Sequence, residues 1–200
     1  MEFLKRGGAA RPLPWAAMLA LATLCALTAY AYPAAAAAQT ASGADVRAAF
    51  LVNFSKFVEW PQGATAGGQF TIGILGDDAV AEALKGLVAG KSVGGQVLAA
   101  RRVGPKDNLG DLQILFVGSS ESARLADVLR RADGGSVLTV SDLDRFCQQG
   151  GTIEFRSERD RIRFDINLDQ AARAGLVINS KLLALARTVH HATKPPGVSR

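Results

Sequence analysis

The chain has 200 residues, 48% of them apolar and 20% charged, and a formal charge of +5 at pH 7. That length allows one domain or two, with enough apolar residues for a sizeable core. Setting aside Lys5, Arg6, Arg11 and Glu2 leaves 20 basic against 17 acidic residues, dispersed along the chain. A nucleic-acid interface needs a concentrated basic face, so that class is excluded.

Residues 1–38 read as a signal peptide. Lys5, Arg6 and Arg11 form a basic start. An apolar run from Ala16 to Ala31 follows, then Pro33 and an alanine tract that suits a small-residue cleavage site. The run is shorter than the ~20 residues of a spanning helix. Cys25 follows Leu24, a bulky residue that fits a lipidation signal badly, so it is read as part of the apolar run and lost on processing. The mature chain is expected in the periplasm.

Ala44 to Glu59 predicts an amphipathic helix, with Val46, Phe50, Phe54, Phe57 and Val58 at helical spacing. Pro61 stops it. The phenylalanines read as core anchors, and Trp60 at the helix exit as a candidate groove residue. Two strand–helix–strand units follow. The first is a strand over Phe70–Leu75, a helix over Ala79–Ala89 capped by Asp77 or Asp78, and a strand over Gln96–Val103. The second is a strand over Leu112–Val117, a helix over Ser122–Ala132 and a strand over Val137–Val140. The pattern predicts an α/β fold, a mixed sheet flanked by helices, ending in a C-terminal β-hairpin and helix.

Ser141–Gln149 reads as a short capped helix packing on Phe146. Gly150-Gly151 then opens the hairpin. Ile153 and Phe155, and Ile162, Phe164, Ile166 and Leu168, alternate onto an apolar face, with Ser157–Asp160 as the loop. Glu154, Arg156, Arg163, Asp165 and Asn167 take the other face, assigned to water or a partner. After a turn at Gly175, Asn179 or Ser180 caps a helix with a stripe of Leu182, Leu183, Ala186 and Val189. The histidines, His190 and His191, fall in a tail, disordered over 193–200. Residues 39–192 form a single domain in this reading.

Devices for chemistry are missing from this pattern. Gly73 and Gly76 make no phosphate loop, and Gly118-Ser119-Ser120 lacks the spacing of a nucleophile elbow. Asp77, Asp78, Asp142 and Asp144 stand where helix caps want carboxylates. Cys147 is the one thiol of the mature chain, either a small buried hydrophobe or a redox or intermolecular contact. One cysteine and two histidines make no zinc site. No enzyme, cofactor or metal is expected.

Two stretches carry a resemblance: VRAAFLVNFSKFVEWP at 46–61, and residues 137–187 with S-D-x-x-x-F, G-G-x-I and F-x-I-N-L-x-x-A-x-x-A-G-L. Together with the ILFV strand they resemble the YfiR family of exported bacterial proteins. The resemblance implies a periplasmic repressor that binds the periplasmic sensor domain of an inner-membrane diguanylate cyclase. It would lower cyclic di-GMP and biofilm formation. An outer-membrane lipoprotein that sequesters the repressor, and a homodimer, are further implied partners. Residue by residue, the resemblance puts the partner surface at Ile153, Asp165 and Ala171. It makes Ile153 an exposed apolar residue, whereas the alternation puts it in the core. It also implies a disulfide from the Cys147 position to the Glu154 position, which glutamate forbids here. The competing function is a periplasmic small-molecule binding module, with a pocket near Trp60 or along the sheet edge.

Overall fold

The computed structural model describes residues 42–64, 67–159 and 161–191. The expected signal peptide and the 193–200 tail lie outside these residues. Ser42 caps α1 (Gly43–Phe57) through a reciprocal capping box with Asp45. Asp77 alone caps α2 (Asp78–Val88), its side chain accepting from the Val80 amide. Among the described residues the main sheet has eight strands. They are β2 (Gln69–Leu75), β3 (Ser92–Val93), β4 (Gln96–Arg102), β5 (Ile114–Val117), β6 (Leu138–Ser141), β7 (Ile153–Glu158), β8 (Arg161–Asn167) and β10 (Thr188–His190). Their order is β10-β8-β7-β6-β5-β2-β4-β3. Strands β4, β2, β5, β6 and β7 run parallel, and β8 returns antiparallel to β7.

This is the expected mixed α/β sheet with helices on both faces. The central strands β5 and β6 are buried at every residue, as a sheet covered on both sides requires. Ile114 and Phe116 pack with α1 and α2 on one face. Leu115 and Val117 pack with α3 (Leu125–Ala132) on the other. The two crossovers leave β2 and β5 in opposite directions along the sheet. Right-handed connections then place α2 and α3 on opposite faces.

Several local readings change. The helix read over Ser122–Ala132 begins as a 3-10 turn, Ser119–Arg124, before α3. The helix read over Ser141–Gln149 reduces to a 3-10 turn, Cys147–Gln149, and Ser141 belongs to β6. The helix α4 (Leu168–Arg173), capped by Asn167, ends the hairpin. The last helix, α5 (Ser180–Leu185), is capped by Asn179 and stops early. Val189 therefore belongs to β10 rather than to its stripe, and His190 lies in that strand, paired with Asn167, rather than in a tail. A two-stranded ribbon of β1 (Val58–Glu59) and β9 (Val177–Ile178) ties the exit of α1 to the turn after α4.

Strand order reverses between β4 and β5, on either side of β2. Open α/β sheets commonly bind ligands in the crevice at such a point. Here the chain fills it. Ser120 Oγ donates to Gly76 O at 2.7 Å. A Cβ on Gly118 would lie 2.5 Å from that same oxygen. These glycines serve close packing of two loops and leave no cradle for a phosphate.

Candidate functional site

The C-terminal hairpin has two chemically opposed faces. Phe155 and Phe164, paired across β7 and β8, meet Phe50 and Phe54 of α1. Centroid distances of 5.5 to 6.0 Å place the four rings in one aromatic cluster. Ile153 is paired with Ile166 and fully buried in this same core, and Ala171 joins it from α4. Ile153 is thus a core residue, as the strand alternation reads it. The exposed position implied by the family resemblance is corrected.

The opposite face holds ion pairs. Glu154 and Asp165 stand directly across the strands, and each is only 1% exposed. Their placement on a face open to water or a partner is therefore also corrected. The cause is coverage: the 145–149 turn folds over Glu154, and Arg187 folds over Asp165. Glu154 accepts the amides of Arg145 at 2.9 Å and Cys147 at 3.1 Å, and pairs with Arg156 at 2.8 Å. Arg156 also reaches Asp144 at 2.8 Å. Asp165 accepts Arg187 Nε at 2.9 Å and a second bond from the same guanidinium. Arg187 spans on to Glu158 at 3.3 Å. A fork on both carboxylate oxygens is the strong geometry for such a pair.

Burial by itself would raise the Asp165 carboxyl. The Arg187 fork, with the Thr188 hydroxyl and Arg156, outweighs that and holds it below the ordinary carboxylate range. Arg187 is raised in turn, chiefly by its bond to Asp165.

Cys147 is buried beside this network. Burial first, then the charges of Glu154 and Asp165, push its thiol up to about 12. Its burial and raised thiol fit the small buried hydrophobe of the two alternatives. Glu154 makes the hydrogen bonds that tie the turn to β7 at the place where the resemblance implies a bridge.

The double glycine has two reasons. Gly150 closes the 3-10 turn at φ +99°, in the left-handed region. A Cβ on Gly151 would sit 2.0 Å from the Phe146 ring. Asn167 explains the I-N-L motif: its Oδ1 caps α4 at the Gln170 amide, and its Nδ2 donates to Cys147 O at 2.8 Å.

Trp60 is half-buried. It stands edge-on to Phe70 at 4.8 Å, and its indole N–H donates to Gln113 O at 3.2 Å. It lines a cleft of about 240 Å³ with Ser55, Val58, Phe70, Val93 and Gly94. The structure does not bring Ile153, Asp165, Ala171 and Trp60 to one surface. Ile153 and Ala171 lie in the α1-side core, Asp165 on the far face of the sheet, and Trp60 at the exit of α1. The sequence reading missed Arg187, whose signal was faint because it lies beyond a short helix. Among the described residues, no group of three His, Cys, Asp or Glu is placed to hold a metal. No helix among them is long and apolar enough to cross a membrane.

Fold and site together define an α/β domain whose most built feature is a buried ion network. The chain belongs to the YfiR/HmsC-like family, whose model matches residues 44–187. Among solved structures it is similar to a conserved domain protein from Vibrio cholerae O1 biovar El Tor, at 11% identity and a TM-score of 0.50. That likeness covers 74% of this chain and 60% of the other, and it concerns the fold alone.

Proposed function

We propose that the chain is a periplasmic regulator that represses an inner-membrane diguanylate cyclase by binding its periplasmic domain. The observation that supports this reading is membership of the YfiR/HmsC-like family over residues 44–187. Repression lowers cyclic di-GMP and biofilm formation, and a lipoprotein of the outer membrane or a second copy of the chain are its further partners. The part played by Ile153, Asp165 and Ala171 is indirect. All three are buried, so they act by holding the surface above them in shape. Asp165 and Glu154 fix Arg187 and Arg156, which reach the surface.

Cellular cyclic di-GMP, compared with and without the gene, tests the reading. A clear rise on deletion supports repression. Charge reversal at Asp165 would empty a buried carboxylate site and unfold the region. The informative variant is instead Arg163→Glu, exposed on the same face as Asp165 and outside the pairs above. It should weaken capture of the cyclase's periplasmic domain while the variant stays folded. No change in cyclic di-GMP, with the cell's cyclases expressed, would move the reading to a small-molecule module at the Trp60 cleft, tested by ligand-induced thermal stabilisation.

A further inference from the structure

The charges of the hairpin are sorted by depth. Five carboxylates, Asp142, Asp144, Glu154, Glu158 and Asp165, are engaged by Arg47, Arg156 and Arg187. The tip arginines Arg159, Arg161 and Arg163 are exposed. Arg159 and Arg161 also line a cleft of about 460 Å³ with Arg47, Gly43, Ser157 and Ile162. The cleft lies between the first turn of α1 and the hairpin. The helix end itself contributes little, because Ser42 and Asp45 already close it.

Arg47 is the anchored member. Its side chain is about four-fifths buried, and one terminal nitrogen pairs with Asp142 at 3.2 Å. Its Nε is buried and unmet, as is Oδ1 of the same Asp142. Three guanidinium groups line one cleft, a concentration of positive charge that suits an oxyanion. Arginine favours phosphate because planar forks meet its oxygens two at a time.

We infer that the cleft formed by Arg47, Arg159, Arg161 and Ser157 binds a phosphate group, carried by a small soluble phosphate or by an anionic lipid headgroup. This site is independent of the repressor reading. Arg163 lies outside this cleft and lines a different one with Glu158, Arg159 and Arg161, so it serves as a charge-matched control.

The test uses the chain from residue 39 to residue 200 at fixed ionic strength. Inorganic phosphate is titrated against thermal midpoint and backbone amide shifts. In parallel, the protein is pelleted with vesicles of phosphatidylglycerol or of phosphatidylcholine. Expected is a saturable response at Ser157, Arg159 and Arg161, weakened severalfold in R159Q and in R161Q, at least tenfold in R159Q/R161Q, and unchanged in the charge-matched R163Q. Response to free phosphate without pelleting assigns a soluble ligand. Pelleting with phosphatidylglycerol alone, lost in the same double variant, assigns a headgroup. The inference is overturned if neither probe binds, or if R163Q loses as much as either R159Q or R161Q, which would mean diffuse charge rather than a site.

Discussion

The two faces of the C-terminal hairpin are built from the same alternating strands yet are held by different forces. The α1 face buries Phe155, Phe164, Ile153 and Ile166 against a helix. Its stabilisation scales with apolar area and is insensitive to pH. The opposite face buries two carboxylates, and each survives only because it is met: Glu154 by Arg156 and two backbone amides, Asp165 by Arg187 and the Thr188 hydroxyl. Taking an ion out of water costs several kcal/mol, about as much as good pairing returns. The first face therefore supplies stability. The second supplies definition: it fixes where Arg156 and Arg187 stand and how the 145–149 turn sits on β7.

The largest break in that comparison comes from the apolar side. Phe54 is fully buried and touches Phe50, Phe155 and Phe164. Phe54→Ala should cost about 3–5 kcal/mol through the cavity it leaves, read from urea unfolding midpoints. On the charged side, Glu154→Gln keeps the shape and one acceptor but removes the charge facing Arg156. It should cost about 1–3 kcal/mol, with amide exchange rising first at Arg145 and Cys147. A larger loss from Glu154→Gln than from Phe54→Ala would invert the division of labour.

The third test is pH, to which the apolar face is blind. Asp165 titrates near 3.9 in an unfolded chain and lower in the folded one. Its contribution is therefore fully present above about pH 4 and is lost as pH falls through the lowered folded value. Unfolding midpoints from about pH 5 down to pH 2.5 should fall, and Asp165→Asn should flatten part of that limb while lowering stability at pH 7. An unchanged acid limb in Asp165→Asn would mean that the Arg187 fork gives nothing to folding.

The apolar face was legible because alternation at period two, with phenylalanines at helical spacing upstream, leaves few other solutions. The charged face was legible as a face but not as a buried one. Alternation says which residues share a side, not what later covers it. The covers are Arg187, before a three-residue strand, and the 145–149 turn, whose shape depends on Gly151 passing a phenyl ring. Neither leaves a periodic trace. The same limit explains β10: Val189 extends the apolar stripe of α5 in sequence, but Arg187 N bonds to Phe164 O and the chain leaves the helix to pair with β8. Buried charge was likewise invisible, since Glu154 and Asp165 look like solvent residues until their partners are placed.

The smallest expected effect sharpens what burial adds to an ion pair. Arg101 and Asp111 form a fork as regular as that of Arg187 on Asp165, with bonds of 2.9 and 2.8 Å. Both groups face solvent, with side chains 38% and 54% exposed. Water already solvates each ion there, and salt screens the remainder, so Arg101→Ala should cost less than about 1 kcal/mol and less still at high salt. Arg187→Ala has the same chemistry but strands a carboxylate that water reaches poorly, so its cost should exceed that of Arg101→Ala and persist at 1 M salt. Equal costs for the two substitutions in one salt series would mean that Asp165 finds another partner. Arg156, at 3.7 Å, is the nearest one placed to take over.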